Sequence, residues 1–169
     1  MQAFTVPADR PWHKTYQDYG IDNHASIPDG ISSLLDSFEQ NFANHGNKIA
    51  FTCMGTSITY AELDTYSRQI AAYLQSIGLE KGDKVAVMMP NILQYPIAMI
   101  GVVRAGMVLV NVNPLYTAHE LEHQLCDSQA KALFIIENFA HVFEKVQNKG
   151  QVKHIIVASM GDMMGLKGV

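Results

Sequence analysis

At 169 residues and 48% hydrophobic, the chain is long enough to bury one real core. A net charge of −4, with no cluster of Lys and Arg, excludes a charge-driven grip on nucleic acid. Cys53 and Cys126 have neither disulfide-framework nor metal-knuckle spacing and fit a reducing cytoplasm, while the 17% charged content, low for a free surface, points to apolar surface that meets something else.

Residues 1–28 are polar and proline-bearing, with Trp12, Tyr16 and Tyr19 scattered among them, and read as an irregular arm. Residues 29–160 read as an α/β unit. Ile31, Leu34, Leu35, Phe38 and Phe42 recur at helical spacing, with Gly46 after the end. Ile49–Cys53 and Ser57–Tyr60 are short strands around Gly55, a predicted β-hairpin. Thr59-Tyr-Ala-Glu62 is a capping box that opens a helix with the stripe Leu63, Tyr66, Ile70, Tyr73, Leu74 and Ile77, stopped by Gly78. A strand over Lys84–Met89 follows. Asn91 then stands where it can cap the next helix, whose first turns Pro96 should distort.

A strand over Met107–Val112 precedes the turn at Asn113-Pro114, and Thr117-Ala-His-Glu120 is a second capping box for a helix to about Asp127. Lys131–Ile136 reads as a strand, Phe139–Asn148 as a helix and Val152–Ala158 as a last strand. Strands and helices alternate after the hairpin. The predicted fold is therefore α/β, a mostly parallel sheet flanked by helices in three layers, with strand order left open. Residues 161–169 form a Gly/Met-rich stretch without a closing element, which reads as the truncated end of a piece of a longer chain.

His119-Glu120-Leu121-Glu122-His123 matches the zinc-peptidase pattern H-E-x-x-H, in which two histidines at i and i+4 share a metal and the glutamate acts as base; Glu137 or Glu144 is available as a third ligand. Three points oppose it. Glu120 is the N3 residue of a capping box, the first helical turn disfavours an added cation, and Ala118, Leu121 and Leu125 put the buried stripe on the far side from the histidines. The alternative function, a small zinc hydrolase, rests on this pattern alone.

The sequence has no G-x-G-x-x-G after a strand, no P-loop and no G-x-S-x-G elbow. Gly161, Gly165 and Gly168 have no helix after them to meet an anion, and Gly101 and Gly106 read as helix-on-sheet packing and a helix stop. Asn111, Asn113 and Tyr116 stand at the carboxyl end of a predicted parallel strand, where α/β sheets place ligand loops; they are the ligand-proximal candidates, and turn architecture is the competing explanation. No segment reads as a signal peptide or a membrane span: Pro7, Asp9 and Pro11 interrupt the start, and Arg104 and Gly106 interrupt Ile97–Val112. A free-standing α/β binding module stays open as a third reading, although it would need a phosphate loop or an acidic cluster at strand ends.

Leu79-Glu-Lys-Gly-Asp-Lys-Val-Ala-Val-Met-Met-Pro-Asn, Arg104-Ala-Gly-Met and Val110-Asn-Val-Asn-Pro-Leu-Tyr-Thr together resemble the N-terminal region of AMP-forming acyl-CoA synthetases, the bacterial long-chain fatty-acid–CoA ligases above all. Ser57-Ile-Thr-Tyr-Ala-Glu-Leu, Glu120-Leu-Glu-His-Gln-Leu and Asn138-Phe-Ala-His fit the same family, so the likeness runs from about residue 31 to 162. One departure is Ala118-His119, where relatives commonly carry Pro-Arg.

The resemblance implies a full-length enzyme that uses ATP, Mg²⁺ and CoA to turn a long-chain fatty acid into its acyl-CoA through an acyl-adenylate. It places the phosphate loop, the magnesium carboxylate, the ribose aspartate and the catalytic lysine beyond the matched region. This chain is then expected to be an inactive N-terminal scaffold with no catalytic, cofactor-binding or metal residue of its own, and to bind no cofactor alone. Its expected partner is the rest of its own polypeptide. The resemblance leaves open a homodimer and a cytoplasmic location with peripheral contact at the inner face of the membrane.

Overall fold

The computed structural model describes residues 12–21 and 30–165. Two units divide the chain, residues 1–32 and 33–169. In the first, Trp12–Asp18 forms a short helix, α1, with no buried residue. This corrects the irregular reading of that stretch. Trp12, Tyr16 and Tyr19 in fact fall at i, i+4, i+7, and backbone bonds from the Tyr19 and Ile21 N–H groups close the end. The rest of the arm (1–11 and 22–29) and the end of the Gly/Met-rich stretch (166–169) lie outside the described residues.

In the second unit, α2 spans Leu34–His45. Its start is set by Ser33, whose hydroxyl accepts from the Asp36 N–H at 3.0 Å, so Ile31 precedes the helix rather than belonging to it. β1 (Ile49–Cys53) and β2 (Thr56–Thr59) pair antiparallel around Met54 and Gly55, with φ of 50° and 80°. That two-residue left-handed turn matches the twist of the strands it joins. The Thr59 capping box forms as predicted and opens α3, Tyr60–Ser76.

β3 (Lys84–Met88), α4 (Gln94–Arg104), β4 (Val108–Asn111), α5 (Ala118–Ser128), β5 (Ala132–Ile136), α6 (Ala140–Glu144) and β6 (His154–Ala158) follow. The strands are one or two residues shorter than their apolar runs. α6 is five residues behind a 3₁₀ turn at Glu137–Phe139, not the long helix the pattern over Phe139–Asn148 implied. All pairings among β3, β4, β5 and β6 are parallel, in the order β4-β3-β5-β6.

Alternation along the strands splits the core. Val85, Val87, Ala132, Phe134 and Ile136 face α3 and α4; Ala86, Met88, Leu133 and Ile135 face α5 and α6. All five residues of β5 are buried, as expected for a parallel strand covered on both faces. A third cluster joins Phe42, Ile58, Leu63, Leu93, Ile97 and Ile100 beneath α2 and the hairpin.

Two expectations for α4 fail on geometry. No side chain caps it: the N-cap is Leu93, and Asn91 lies before the helix. Pro96 distorts nothing, because it is the third helical residue and its missing N–H would have had no intrahelical partner. Gly101 packs against a helix, not the sheet. A Cβ there would stand 2.4 Å from Ile70 Cγ2 and 3.2 Å from the Ser67 carbonyl oxygen. Accordingly the buried face of α3 is Leu63, Ser67, Ala71 and Leu74, with small residues where α4 comes close, while Tyr73 of the predicted stripe is exposed.

Arg104 ends α4 in a charged knot. Its guanidinium donates to Glu39 of α2 and, at 2.6 Å, to Asp64 of α3, and it lies 5.5 Å from the Phe42 ring centre. Arg68 closes the knot from outside, bonding Asp64 at 3.0 Å and Glu39 at 3.1 Å. The Arg104 side chain is 9% exposed. A charge can be held there only because two carboxylates meet it.

Candidate functional site

In a parallel α/β sheet, ligands sit outside the carboxyl ends of the strands, where successive connections leave for opposite faces. Here β3 leads to α4 on one face and the neighbouring β5 leads to α6 on the other. The crevice of this sheet therefore lies between the turn Met89-Pro90-Asn91 and Glu137. The predicted candidates are next to it, at the end of β4. Without the strand order, sequence reading had no means of choosing between the two places.

Each candidate is engaged locally. The Tyr95 hydroxyl donates to Asn111 Oδ1 at 2.9 Å, and the Gln124 side-chain amide donates to the Asn111 carbonyl at 2.8 Å. Asn113 Oδ1 accepts from the Leu115 N–H at 3.0 Å, an Asx turn, and its carbonyl accepts from the Tyr116 N–H at 3.1 Å. Tyr116 packs against the core beneath α5. These bonds fix the loop that enters the second capping box, and they keep Asn111 and Tyr95 at the rim of the edge.

Beside β5 and β6 a second polar group forms. The Ser159 hydroxyl bonds Glu137 Oε1 at 2.6 Å, the Ser159 N–H donates to Asp162 Oδ2 at 2.7 Å, and Gln94 Nε2 donates to the Ser159 carbonyl at 2.7 Å. Beneath it runs an apolar groove of about 260 Å³, lined by Tyr66, Ile70, Ile97, Phe134, Ile156 and Met163 among others. The strand-end residues at this edge, Pro90, Asn91, Asn111, Glu137 and Ser159, include neither Lys nor Arg. They do not fit a triphosphate, which would meet acceptors and a carboxylate where cations are needed.

The zinc-like pattern resolves into helix architecture. The Thr117 N–H and hydroxyl donate to Glu120 Oε2 at 2.8 and 2.7 Å, and the Glu120 N–H reaches back to the Thr117 hydroxyl at 3.4 Å. Those bonds, the backbone one foremost, hold the Glu120 carboxyl below its ordinary range, so it is an ionised cap rather than a poised base. His119 and His123 are exposed on the outer face of α5. Glu137 is committed to Ser159, and among the described residues no three His, Cys, Asp or Glu side chains gather closely enough to hold a metal. The described helices include none long and apolar enough to cross a membrane.

Known proteins share this fold and much of this sequence. The family model described as "AMP-binding enzyme" matches residues 38–166. A long-chain-fatty-acid–CoA ligase of Escherichia coli O6:H1 is 55% identical over 138 residues, which is 81% of this chain and 25% of that protein. The ligase of the same name from Yersinia pestis is 52% identical over 158 residues, 92% of this chain and 28% of that one. The chain thus spans about a quarter of the length of the curated relatives it matches. Among solved structures, a long-chain-fatty-acid–CoA ligase from Archaeoglobus fulgidus superposes with a TM-score of 0.69 at 27% identity, covering 78% of this chain and 29% of that one. An anthranilate CoA ligase bound to anthranoyl-AMP superposes at 0.71 with 24% identity, over 77% of this chain and 26% of that one, a likeness of fold.

Proposed function

This chain belongs to the AMP-binding enzyme family, and from that premise we propose that it is the N-terminal scaffold of a long-chain fatty-acid–CoA ligase. The observation that carries the reading is the 52% identity to a ligase of that name over 92% of the chain. The complete enzyme would use ATP, Mg²⁺ and CoA to join a long-chain fatty acid to CoA through an acyl-adenylate. Within it this region supplies a rigid sheet and the polar rim of Tyr95, Asn111 and Glu137, while the chemistry is done by residues elsewhere in the polypeptide.

Physical argument supports inactivity of the 169-residue chain alone. Acyl-adenylate formation needs preorganised cations and amide donors around a phosphorus centre, and the carboxyl edge offers acceptors instead. The test is palmitate-dependent ATP–pyrophosphate exchange, run on this chain and on the polypeptide that continues it in the native reading frame. Exchange by the longer polypeptide alone is the expected result. Exchange by residues 1–169 would overturn the scaffold reading, and exchange by neither would overturn the assignment of palmitate-like acids as substrates.

A further inference from the structure

The amino end of the parallel sheet carries the lysines that its carboxyl end lacks. The Lys153 N–H donates to the Lys131 carbonyl at 2.9 Å, which places the two lysines side by side just before the paired residues Ala132 and His154. His154 follows directly. Lys131, Lys153, His154 and Gln151 line one groove of about 600 Å³, and the bare backbone of Gly78 and Gly150 leaves it open.

Like charges on adjacent strands repel, so an arrangement of this kind costs stability unless something negative offsets it. Asp83 does so for Lys131, at 2.6 Å, and the same carboxylate already accepts from the Glu80 N–H at 3.0 Å. No other carboxylate among the described residues is within ion-pair range of Lys131, and none is within that range of Lys153. A concave surface lined by one sign of charge focuses its field on the space it encloses.

We propose that this groove is an anion site for a phosphate-bearing ligand, contacted by Lys153, His154 and Gln151, with Lys131 lining its wall in an ion pair with Asp83. All four offer N–H donors suited to phosphate oxygens, and lysine serves as a point charge for such groups. The inference is independent of the ligase reading. A free phosphorylated solute and a lipid headgroup present the same chemistry, and the experiment separates them.

Pyrophosphate titrated calorimetrically into the 169-residue chain at low salt tests the first source. Co-sedimentation with phosphatidylcholine vesicles, with and without phosphatidylglycerol, tests the second. Each is repeated with Lys153→Gln, with Lys153→Arg, and with Lys48→Gln, an exposed lysine outside the groove. Loss of one charged donor is expected to weaken binding about tenfold in Lys153→Gln, while Lys153→Arg and Lys48→Gln bind like the parent. Pyrophosphate binding with that pattern supports a free-solute ligand. Vesicle binding with that pattern, without a pyrophosphate signal, supports a headgroup. No binding in either arm, or equal binding by Lys153→Gln and the parent, overturns the proposal; thermal midpoints of the variants show whether a loss reflects unfolding.

Discussion

The two helical layers cover the same sheet by different means. On one face, α5 inserts Leu121 and Leu125 and α6 inserts Phe143 into the spaces left by Met88, Leu133 and Ile135, large residue against large residue. On the other, α3 and α4 approach until Gly101 meets Ile70 and Ser67, and the contact is then pinned by the ionic knot around Arg104. The first layer depends on apolar volume, the second on the absence of volume and on charge. Bulky side chains announce themselves in sequence. A seam of small residues is silent until its partner is known.

The comparison can be tested by removing bulk from one layer and adding it to the other. Leu121 is fully buried, so Leu121→Ala should lower unfolding free energy by about 3 kcal/mol, the transfer loss plus the cavity. Gly101→Ala adds one carbon and gains about 1 kcal/mol of helix propensity, yet should still cost about 2 kcal/mol net because the new atom overlaps Ile70. Adding Ile70→Ala to Gly101→Ala should recover part of that loss, whereas adding it to Leu121→Ala should only deepen the deficit. Denaturant midpoints of the four variants settle the matter, and independent behaviour of Gly101 and Ile70 would break the distinction between the layers.

Arg104 gives the next effect. Arg104→Ala leaves Glu39 and Asp64 with Arg68 as their shared cation, and should cost about 2 kcal/mol, less than the ~3–5 kcal/mol of a fully buried pair because Arg68 stays and both carboxylates keep some solvent. High salt should shrink the difference between variant and parent. No such shrinkage would assign the loss to packing on Phe42 instead of to charge.

The smallest effects belong to the caps, which the two layers share. Thr59→Ala and Thr117→Ala should each cost about 1 kcal/mol near neutral pH. Hydrogen bonds, from the backbone first, lower the carboxyls of Glu62 and Glu120 from 4.5 and that of Asp83 from 3.8. A carboxyl depressed in the folded state binds fewer protons there than in the unfolded chain. Its contribution is therefore complete above its ordinary value and fades as pH falls through the folded one. Parent stability should accordingly be level above about pH 5 and decline below it, and the Thr117→Ala variant should show a shallower acid decline. Parallel acid limbs in parent and variant would exclude the Thr117 hydroxyl as a contributor and leave the depression to the backbone N–H.

Both capping boxes, the hairpin, the alternation of strands with helices and the continuous apolar strands were legible in the residues themselves, since each depends on neighbours within a few positions. The misses share a cause. Pattern alone puts Ile31 in a helix and Asn91 at a cap, although Ser33 and the Leu93 backbone set the starts. The aromatic spacing in α1 is a weak helix signal because no buried stripe accompanies it. The H-E-x-x-H string matches letter for letter, yet its glutamate is the third residue of a capped helix and its histidines face water.

Local physics thus determined which segments became helices and strands, and similarity of residues 38–166 determined the family. Tertiary structure alone decided the order β4-β3-β5-β6 and, with it, which strand ends border the crevice. It also decided that Glu39, Asp64, Arg68 and Arg104 would meet, and that Lys131, Lys153 and His154 would share one groove. Those meetings join residues far apart along the chain. Their free energy comes from burial and charge that exist only once the layers have closed on the sheet.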